Sequence, residues 1–186
     1  MNLIFRLMRV VMAALFQRRI GLMDSSTLRF QVLPTDLDLN MHMTNARYLS
    51  IMDLGRMDLL IRGGMLGGVK QERWLPVVGG IDIKFHRPLR PFQRFTLKSR
   101  LVCWDEKWLY MEQRLESDRG VHAVATVRGL FRGREGSVPS RVLLERMGHR
   151  RLESPPFPTQ VLCLMAWEAA GKRMHSKSAP VITSAM

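Results

Sequence analysis

Residues 35–49 read TDLDLNMHMTNARYL and hold the densest group of polar functional side chains in the chain. An alternating segment, residues 27–32, precedes them and predicts a strand that Pro34 ends. Residues 45–61 carry apolar side chains near helical spacing and predict a helix. The N–H groups at a helix start can point at an oxygen that becomes negative, and a nearby carboxylate can attack or activate water. The stretch therefore combines the groups that acyl transfer to water requires.

A purely structural interpretation of the same stretch also stays open. Asp36 and Asp38 can cap turns and the start of the helix, and His42 can be a hydrogen-bonded structural histidine. Residue spacing fits both interpretations, because a capping aspartate and a catalytic aspartate both stand just before a helix.

The rest of the central region predicts an antiparallel sheet. Apolar residues alternate with polar ones in four further segments, and two of the breaks between them are short enough for hairpins. One strand, one long helix and four strands in this order predict an α+β domain, with the helix laid across a five-stranded antiparallel sheet. The four segments are residues 77–86, 95–103, 108–115 and 121–131.

Composition limits the class of protein. The chain has 186 residues, of which 46 % are apolar and 24 % are charged, typical of one globular domain with added segments. Two cysteines exclude a disulfide framework and a four-cysteine metal site, and they favour a reducing compartment. The histidines lack ligand spacing and no nucleic-acid-binding motif occurs, so we expect no metal, no cofactor and no nucleic-acid partner.

Positive charge collects at the two ends of the chain, which carries a formal net charge of +13. The first 20 residues predict an uncleaved amphipathic helix with arginine flanks. This helix either packs on its own domain or a partner subunit, or lies on an anionic membrane surface. We expect a basic amphipathic helix over residues 1–24, the central domain over 25–138, a helical extension over 139–171 and a flexible basic tail over 172–186.

The run from Asp38 to Leu49 resembles the hotdog-fold acyl-CoA thioesterases of the 4-hydroxybenzoyl-CoA thioesterase-like group. Their pattern is T-D-x-x-G-H-x-x-N-x-x-Y-L, followed on the helix by an acidic residue and an arginine, here Asp53 and Arg56. Residues 85–115 are similar to the second half of such proteins, closest to a thioesterase-like subgroup with a W-D-E-K-W turn. The resemblance covers residues 25–135 and implies a hotdog fold, in which a five-stranded antiparallel sheet wraps around one long helix, with extra terminal helices here.

The resemblance also implies roles for single residues. Asp38 takes the position of the catalytic carboxylate, as nucleophile or general base, and His42 and Asn45 belong to the catalytic loop and first helix turn. The implied substrate contacts are Asp36, Met41, Tyr48, Asp53, Lys84, Arg87 and Arg90. The basic residues of this set, with Arg94, either hold the coenzyme A phosphates or form a solvated basic surface. The chain departs from the family at Met41, where glycine is common.

The resemblance therefore implies a hydrolase that cleaves a fatty acyl thioester, carried by coenzyme A or acyl carrier protein, to the free acid and the thiol. The alternative that Met41 favours is a non-catalytic acyl- or lipid-binding hotdog protein at a membrane surface. A dehydratase acting on 3-hydroxyacyl thioesters is a third hypothesis. The resemblance implies a homodimer or higher homo-oligomer, because in this fold the site forms between two subunits. We expect a cytoplasmic protein of lipid metabolism, peripheral at the inner face of a membrane.

Overall fold

The chain forms an antiparallel sheet with one long helix across it and further helices before and after. The computed structural model describes residues 3–66, 71–149 and 152–177, with side chains through Gly171. Its main elements are α1 (Leu3–Phe16), β1 (Ser26–Gln31), α2 (Asn45–Arg62), β2 (Leu75–Phe85), β3 (Arg94–Trp104), β4 (Leu109–Ser117), β5 (Gly120–Gly133), β6 (Gly136–Val138), α3 (Ser140–Arg146) and α4 (Thr159–Lys177).

The strands lie in the order β1-β3-β4-β5-β2, and each neighbouring pair is antiparallel. The five predicted strands are therefore confirmed, and β1 and β2 form the two edges of the sheet. A sixth strand, β6, pairs with the end of β5 after a turn in which Gly136 has φ +126°. The sequence did not predict β6, because three residues are too few to show an alternating pattern.

Helix α2 lies against the sheet, which confirms the predicted α+β arrangement. Thr44 caps the helix by accepting a hydrogen bond from the Arg47 backbone N–H at 3.2 Å. Helix α2 approaches strand β3 closely at Gly55. A Cβ atom at this position would lie 2.6 Å from Leu97 Cδ2 and would also collide with Ser99 Oγ. Apolar side chains of α2 fill the core between helix and sheet, including Ile51, Met52, Leu54 and Leu59.

Helix α1 packs against the domain with one face and leaves the opposite face open. Its buried residues are Arg6, Val10 and Ala14, which recur at i, i+4 and i+8. Packing on its own domain, one of the predicted alternatives, is therefore observed for this face. The opposite face exposes large apolar side chains, namely Ile4, Phe5, Met8, Met12, Leu15 and Phe16.

The described residues from Phe157 onward belong to a second compact unit. Its helix α4 continues to Lys177 and so includes the first six residues of the predicted flexible tail, which starts at residue 172. The rest of that predicted tail, residues 178–186, lies outside the described residues. Among the described helices, none is long and apolar enough to cross a membrane.

Candidate active site

A tight loop over residues 37–44, called here the site loop, connects β1 to α2. Pro34 begins a short 3-10 turn, and a β-bridge between Leu37 and Met43 then closes the loop. The Asp38 N–H donates to the His42 carbonyl at 2.8 Å, which narrows the loop further. This geometry places the site loop directly before the first turn of α2.

The Asp38 carboxylate is exposed, and its orientation is set by backbone donors. Its Oδ1 accepts hydrogen bonds from the Asn40 N–H at 2.9 Å and from the His42 N–H at 3.0 Å. Among the described residues, no donor occupies Oδ2. One carboxylate oxygen thus holds the loop, and the other is open to a reacting molecule.

Met41 adopts a left-handed backbone conformation with φ +58°, and its side chain is exposed. This conformation is the one that glycine adopts with least strain. The chain therefore keeps a glycine-type backbone at the position where the resembling family has glycine, although it carries a side chain there.

His42 lies in the site loop with Asp38, and Asn45 follows the loop as the first residue of α2. His42 is half-buried and contacts Asp38 through its backbone, since its N–H and carbonyl both hydrogen-bond to that residue. Asn45 is the exposed first residue of α2. The first N–H groups of a helix have no acceptor within the helix, so those of Asn45 and Ala46 are available donors at the site.

Asp36 is placed inside the protein and away from the open side of the loop. Its side chain is 1 % exposed and forms ion pairs with Arg6 at 2.7 Å and Arg47 at 3.0 Å. It also accepts a hydrogen bond from the Leu33 N–H, while its carbonyl accepts one from the Thr44 N–H. Asp36 thus ties α1, the site loop and α2 together, a structural role that differs from the substrate contact predicted for it.

Tyr48 is also buried, where the sequence predicted a substrate contact. Its hydroxyl accepts a hydrogen bond from the Leu89 N–H at 3.0 Å, and its ring meets Phe85 edge-on with centroids 5.2 Å apart. Burial raises the pKa of the Tyr48 hydroxyl. The side chain holds the connection between β2 and β3 against the start of α2.

Asp53 and Arg56 form an ion pair on α2, and the Arg56 guanidinium also contacts the buried side chain of Gln113. Arg56 donates to Gln113 Oε1 at 2.6 Å, and Gln113 in turn donates to Ser99 Oγ at 2.9 Å and to the Met52 carbonyl at 2.8 Å. Burial lowers the pKa of the Arg56 guanidinium, and the Asp53 charge opposes that shift. The sequence did not identify Gln113, because a lone glutamine within an alternating strand gives no functional signal.

A basic groove of about 1160 Å³ lies at the ends of β1 and β4 and the start of β3. Its lining includes six arginines, Arg9, Arg29, Arg90, Arg94, Arg114 and Arg119, and two acidic residues, Glu116 and Asp118. Of the predicted phosphate-binding set, Arg90 and Arg94 line this groove, whereas Lys84 and Arg87 do not. Arg87 lies next to it and donates to the Arg119 carbonyl at 2.8 Å.

An apolar cavity of about 440 Å³ lies beside α2, in the size range of roughly 300–1,000 Å³ that small-molecule sites occupy. Its walls come from α1, α2 and strands β2 to β5, and its few polar side chains all stand on α2. These polar residues are Ser50, Asp53 and Arg56. The cavity begins one to two helical turns after the site loop.

Comparison with known families identifies the class of protein. A family model described as the thioesterase-like superfamily matches residues 32–164, and this match spans more than half of the chain. The chain therefore belongs to the thioesterase-like superfamily, as the residues of the site loop predicted.

Individual relatives are similar over the same region. Protein THEM6 of Xenopus laevis is 36 % identical over 133 residues, which cover 70 % of this chain and 62 % of that protein. The probable thioesterase YBR096W of Saccharomyces cerevisiae is 28 % identical over 102 residues, or 54 % of this chain and 44 % of that protein. The chain thus spans less than two thirds of the length of each of these relatives.

A solved structure confirms the hotdog fold. The probable thioesterase from Bartonella henselae superposes with a TM-score of 0.56 at 26 % identity. The superposition covers 97 % of that chain but only 62 % of this one. The shared fold is therefore complete, and this chain carries additional segments.

Proposed function

We propose that the protein hydrolyses acyl-CoA thioesters at the site loop. The observation that carries this proposal is the Asp38 carboxylate, whose Oδ1 is held by two backbone N–H groups while Oδ2 is open beside the first turn of α2. The N–H groups of Asn45 and Ala46 are the donors that would polarise the thioester carbonyl. Membership of the thioesterase-like superfamily supports the same reaction.

The reaction can proceed by two routes from the same carboxylate. As a general base, Asp38 takes a proton from water while the water oxygen bonds to the carbonyl carbon; the C–S bond then breaks and the thiolate receives the proton. As a nucleophile, Asp38 bonds to the carbonyl carbon and expels the thiolate, and water then hydrolyses the resulting anhydride. Both routes yield the free acid and coenzyme A.

Coenzyme A is the proposed carrier, because the basic groove suits its phosphate groups. The groove lies next to the site loop, since the Met43 N–H donates to the Leu89 carbonyl at 3.0 Å and Arg90 follows directly. Substituting both Arg90 and Arg94 by alanine is expected to raise KM for acyl-CoA several-fold. Arg100→Ala, on β3 but outside the groove, is the matched control, and an equal rise in KM for the control would reject the assignment.

A homodimer through the edge strand β2 is the proposed assembly. Along this strand Leu75, Val77, Val78 and Phe85 are exposed, and the free edge offers unpaired backbone groups to a second copy. The resemblance to the hotdog thioesterases also implies a homodimer, with the site between two subunits.

Peripheral attachment to an anionic membrane is proposed for the exposed face of α1. Large apolar side chains on this face and the flanking Arg9, Arg18 and Arg19 suit an acidic lipid surface. Deleting the helix would remove core residues, so the test uses Phe5→Ser with Phe16→Ser and vesicles of phosphatidylserine and phosphatidylcholine. The double variant is expected to lose vesicle binding, and the control variant Val142→Ser, on α3, should retain it. Equal binding by the unsubstituted protein, the double variant and Val142→Ser would exclude α1 as the membrane anchor.

Release of free thiol from acyl-CoAs of short, medium and long chain tests the proposed function. The reagent that detects free thiol would also react with the exposed Cys163. The assay therefore uses protein that carries the Cys163→Ser substitution. Cys103 needs no substitution, because it is buried and burial raises its pKa to about 11, which keeps it protonated at assay pH. Thiol release well above the rate without protein is expected for at least one chain length. A folded protein that binds these thioesters without cleaving any of them would favour the acyl-binding alternative.

A further inference from the structure

Helix α1 forms one wall of the apolar cavity beside α2. Leu3, Ile4 and Leu7 line the cavity from α1, and Met57 and Leu60 line it from α2. Leu3 and Leu7 are one helical turn apart and pack against the main hydrophobic core. Leu3 and Leu7 therefore belong to the inner face of α1, beside the buried residues that attach this helix to the domain. Ile4 lines the cavity from the border of the exposed face.

A buried ion pair attaches α1 to the 3-10 turn directly before the site loop. Arg6, on the same helix, is 3 % exposed and donates two hydrogen bonds to the carboxylate of Asp36, two residues before Asp38 in sequence. A third hydrogen bond runs from Arg6 to the Gln31 carbonyl at 3.0 Å. These contacts connect α1, which lines the cavity, to the turn that precedes the proposed catalytic carboxylate.

We infer that α1 determines which acyl-chain lengths this enzyme accepts. Leu3, Ile4 and Leu7 form the wall of the cavity that limits the length of the fatty acyl chain bound along α2. This inference rests on the proposed function and adds to it the part of the chain that selects the substrate. The cavity lining is mainly apolar, and its polar residues Ser50, Asp53 and Arg56 stand on the helix that begins at the site loop. An acyl chain would thus place its methylenes in the cavity and its thioester near the start of α2.

The match to the thioesterase-like superfamily begins at residue 32, after α1. The wall is consequently supplied by a segment of this chain that lies outside the region shared with the family model. Selection by acyl length would follow from the fit of side chains on α1, since each methylene that remains outside the cavity loses about fourfold in affinity.

Binding of S-alkyl-CoA thioethers with 4-carbon and 16-carbon chains tests the inference by calorimetry, because thioethers cannot be hydrolysed. Leu7→Trp reduces the cavity, and Met8→Trp places the same side chain on the exposed face of the same helix as a matched control. Leu7→Trp is expected to weaken binding of the 16-carbon ligand about tenfold or more, and binding of the 4-carbon ligand less than about twofold. Met8→Trp should leave both affinities within about twofold of the unsubstituted protein.

Ile4→Trp is the second variant, because Ile4 lines the cavity while 60 % exposed and so tolerates a larger side chain in the fold. It should show the same loss for the long ligand. Equal effects of Leu7→Trp and Ile4→Trp on both ligands, no effect on either ligand, or a change in sedimenting mass without a change in length preference would overturn the inference.

Thiol release from the matching acyl-CoAs separates this inference from the proposed function. If Leu7→Trp changes the length dependence of binding but the unsubstituted protein hydrolyses no acyl-CoA, the proposed hydrolase activity is rejected. The role of α1 in limiting the acyl chain is then still supported. If Leu7→Trp and Ile4→Trp hydrolyse acyl-CoA with an unchanged length preference, the hydrolase activity is supported. The role of α1 in limiting the acyl chain is then rejected.

Discussion

Asp36 is the residue that connects the start of the site loop to α1 and α2. Its carboxylate is almost completely buried between Arg6 and Arg47, and it also accepts the Leu33 N–H. A buried charge that loses one partner is strongly destabilising, whereas an exposed pair contributes little. Asp36 and Asp38 thus have different roles. Asp36 makes buried structural contacts, whereas Asp38 faces solvent.

Arg6→Met is predicted to lower the free energy of unfolding by about 3 kcal/mol, because it leaves the buried Asp36 with less compensation. Arg100→Met, which removes an exposed partner of Glu112, should cost less than about 1 kcal/mol. Urea unfolding monitored by circular dichroism measures both. Similar losses for the two variants would show that the Arg6 pair has no special weight.

Met41 is the residue at which this chain departs from the resembling family, and its left-handed backbone makes a prediction. Met41→Gly should change the unfolding free energy by less than about 1 kcal/mol, since relief of strain is offset by greater freedom of the unfolded chain. Met41→Val should lose about 2 kcal/mol, because a β-branched side chain is poorly tolerated at positive φ.

Hydrolysis by Met41→Gly should remain within about fivefold of the unsubstituted protein, because the backbone already has the glycine-type conformation. An increase of several orders of magnitude would instead show that Met41 suppresses catalysis, as the acyl-binding alternative supposes.

At the scale of elements, the helix and the five long strands were predictable because their patterns are local. Alternation marks β1 to β5, and apolar residues at helical spacing mark α2. The cap at Thr44 was not predicted, because Asp36 and Asp38 were the candidate caps. The pairing of Arg6 with Asp36 was not predictable, since the residues are 30 positions apart and either one alone looks like an ordinary surface charge. The same holds for Tyr48, whose hydroxyl partner Leu89 is 41 positions away.

The contact between α2 and the sheet gives an element-scale prediction at Gly55. Glycine to alanine normally stabilises a helix interior, by up to about 1 kcal/mol. Here the added Cβ would collide with Leu97 and Ser99, so Gly55→Ala should lose about 2 kcal/mol. Ser50→Ala, on the same helix, should change stability by less than about 0.5 kcal/mol. Thermal unfolding of both variants measures the difference, and a stabilised Gly55→Ala would contradict the close approach.

At the scale of the whole molecule, the shared fold is extended by segments that the family model does not cover. Helix α1 belongs to one of these segments; it forms part of the apolar cavity and presents an apolar outer face. The sequence predicted an amphipathic helix here, but its contribution to a cavity depends on contacts with α2 that no local pattern records.

Assembly gives a prediction at the same scale. Replacing Leu75 and Val78 together by glutamate should convert a dimer to a monomer, because it places charges on the apolar edge strand β2. Val142→Glu, an exposed apolar position on α3, should leave the dimer intact. Sedimentation velocity distinguishes the two masses, and a monomeric unsubstituted protein would exclude the proposed assembly.

Hydrolysis by Asp38→Asn is the measurement that tests the central claim most directly. Asp24→Asn is the matched control, because Asp24 is another exposed aspartate that accepts a backbone N–H, that of Gly21 at 2.8 Å. Asp38→Asn should lower kcat for acyl-CoA at least about a hundredfold, since general base or nucleophilic catalysis contributes about 10²–10⁴. Asp24→Asn should keep its rate. A folded Asp38→Asn variant that hydrolyses acyl-CoA as fast as the unsubstituted protein would contradict the assignment of Asp38 as the catalytic carboxylate.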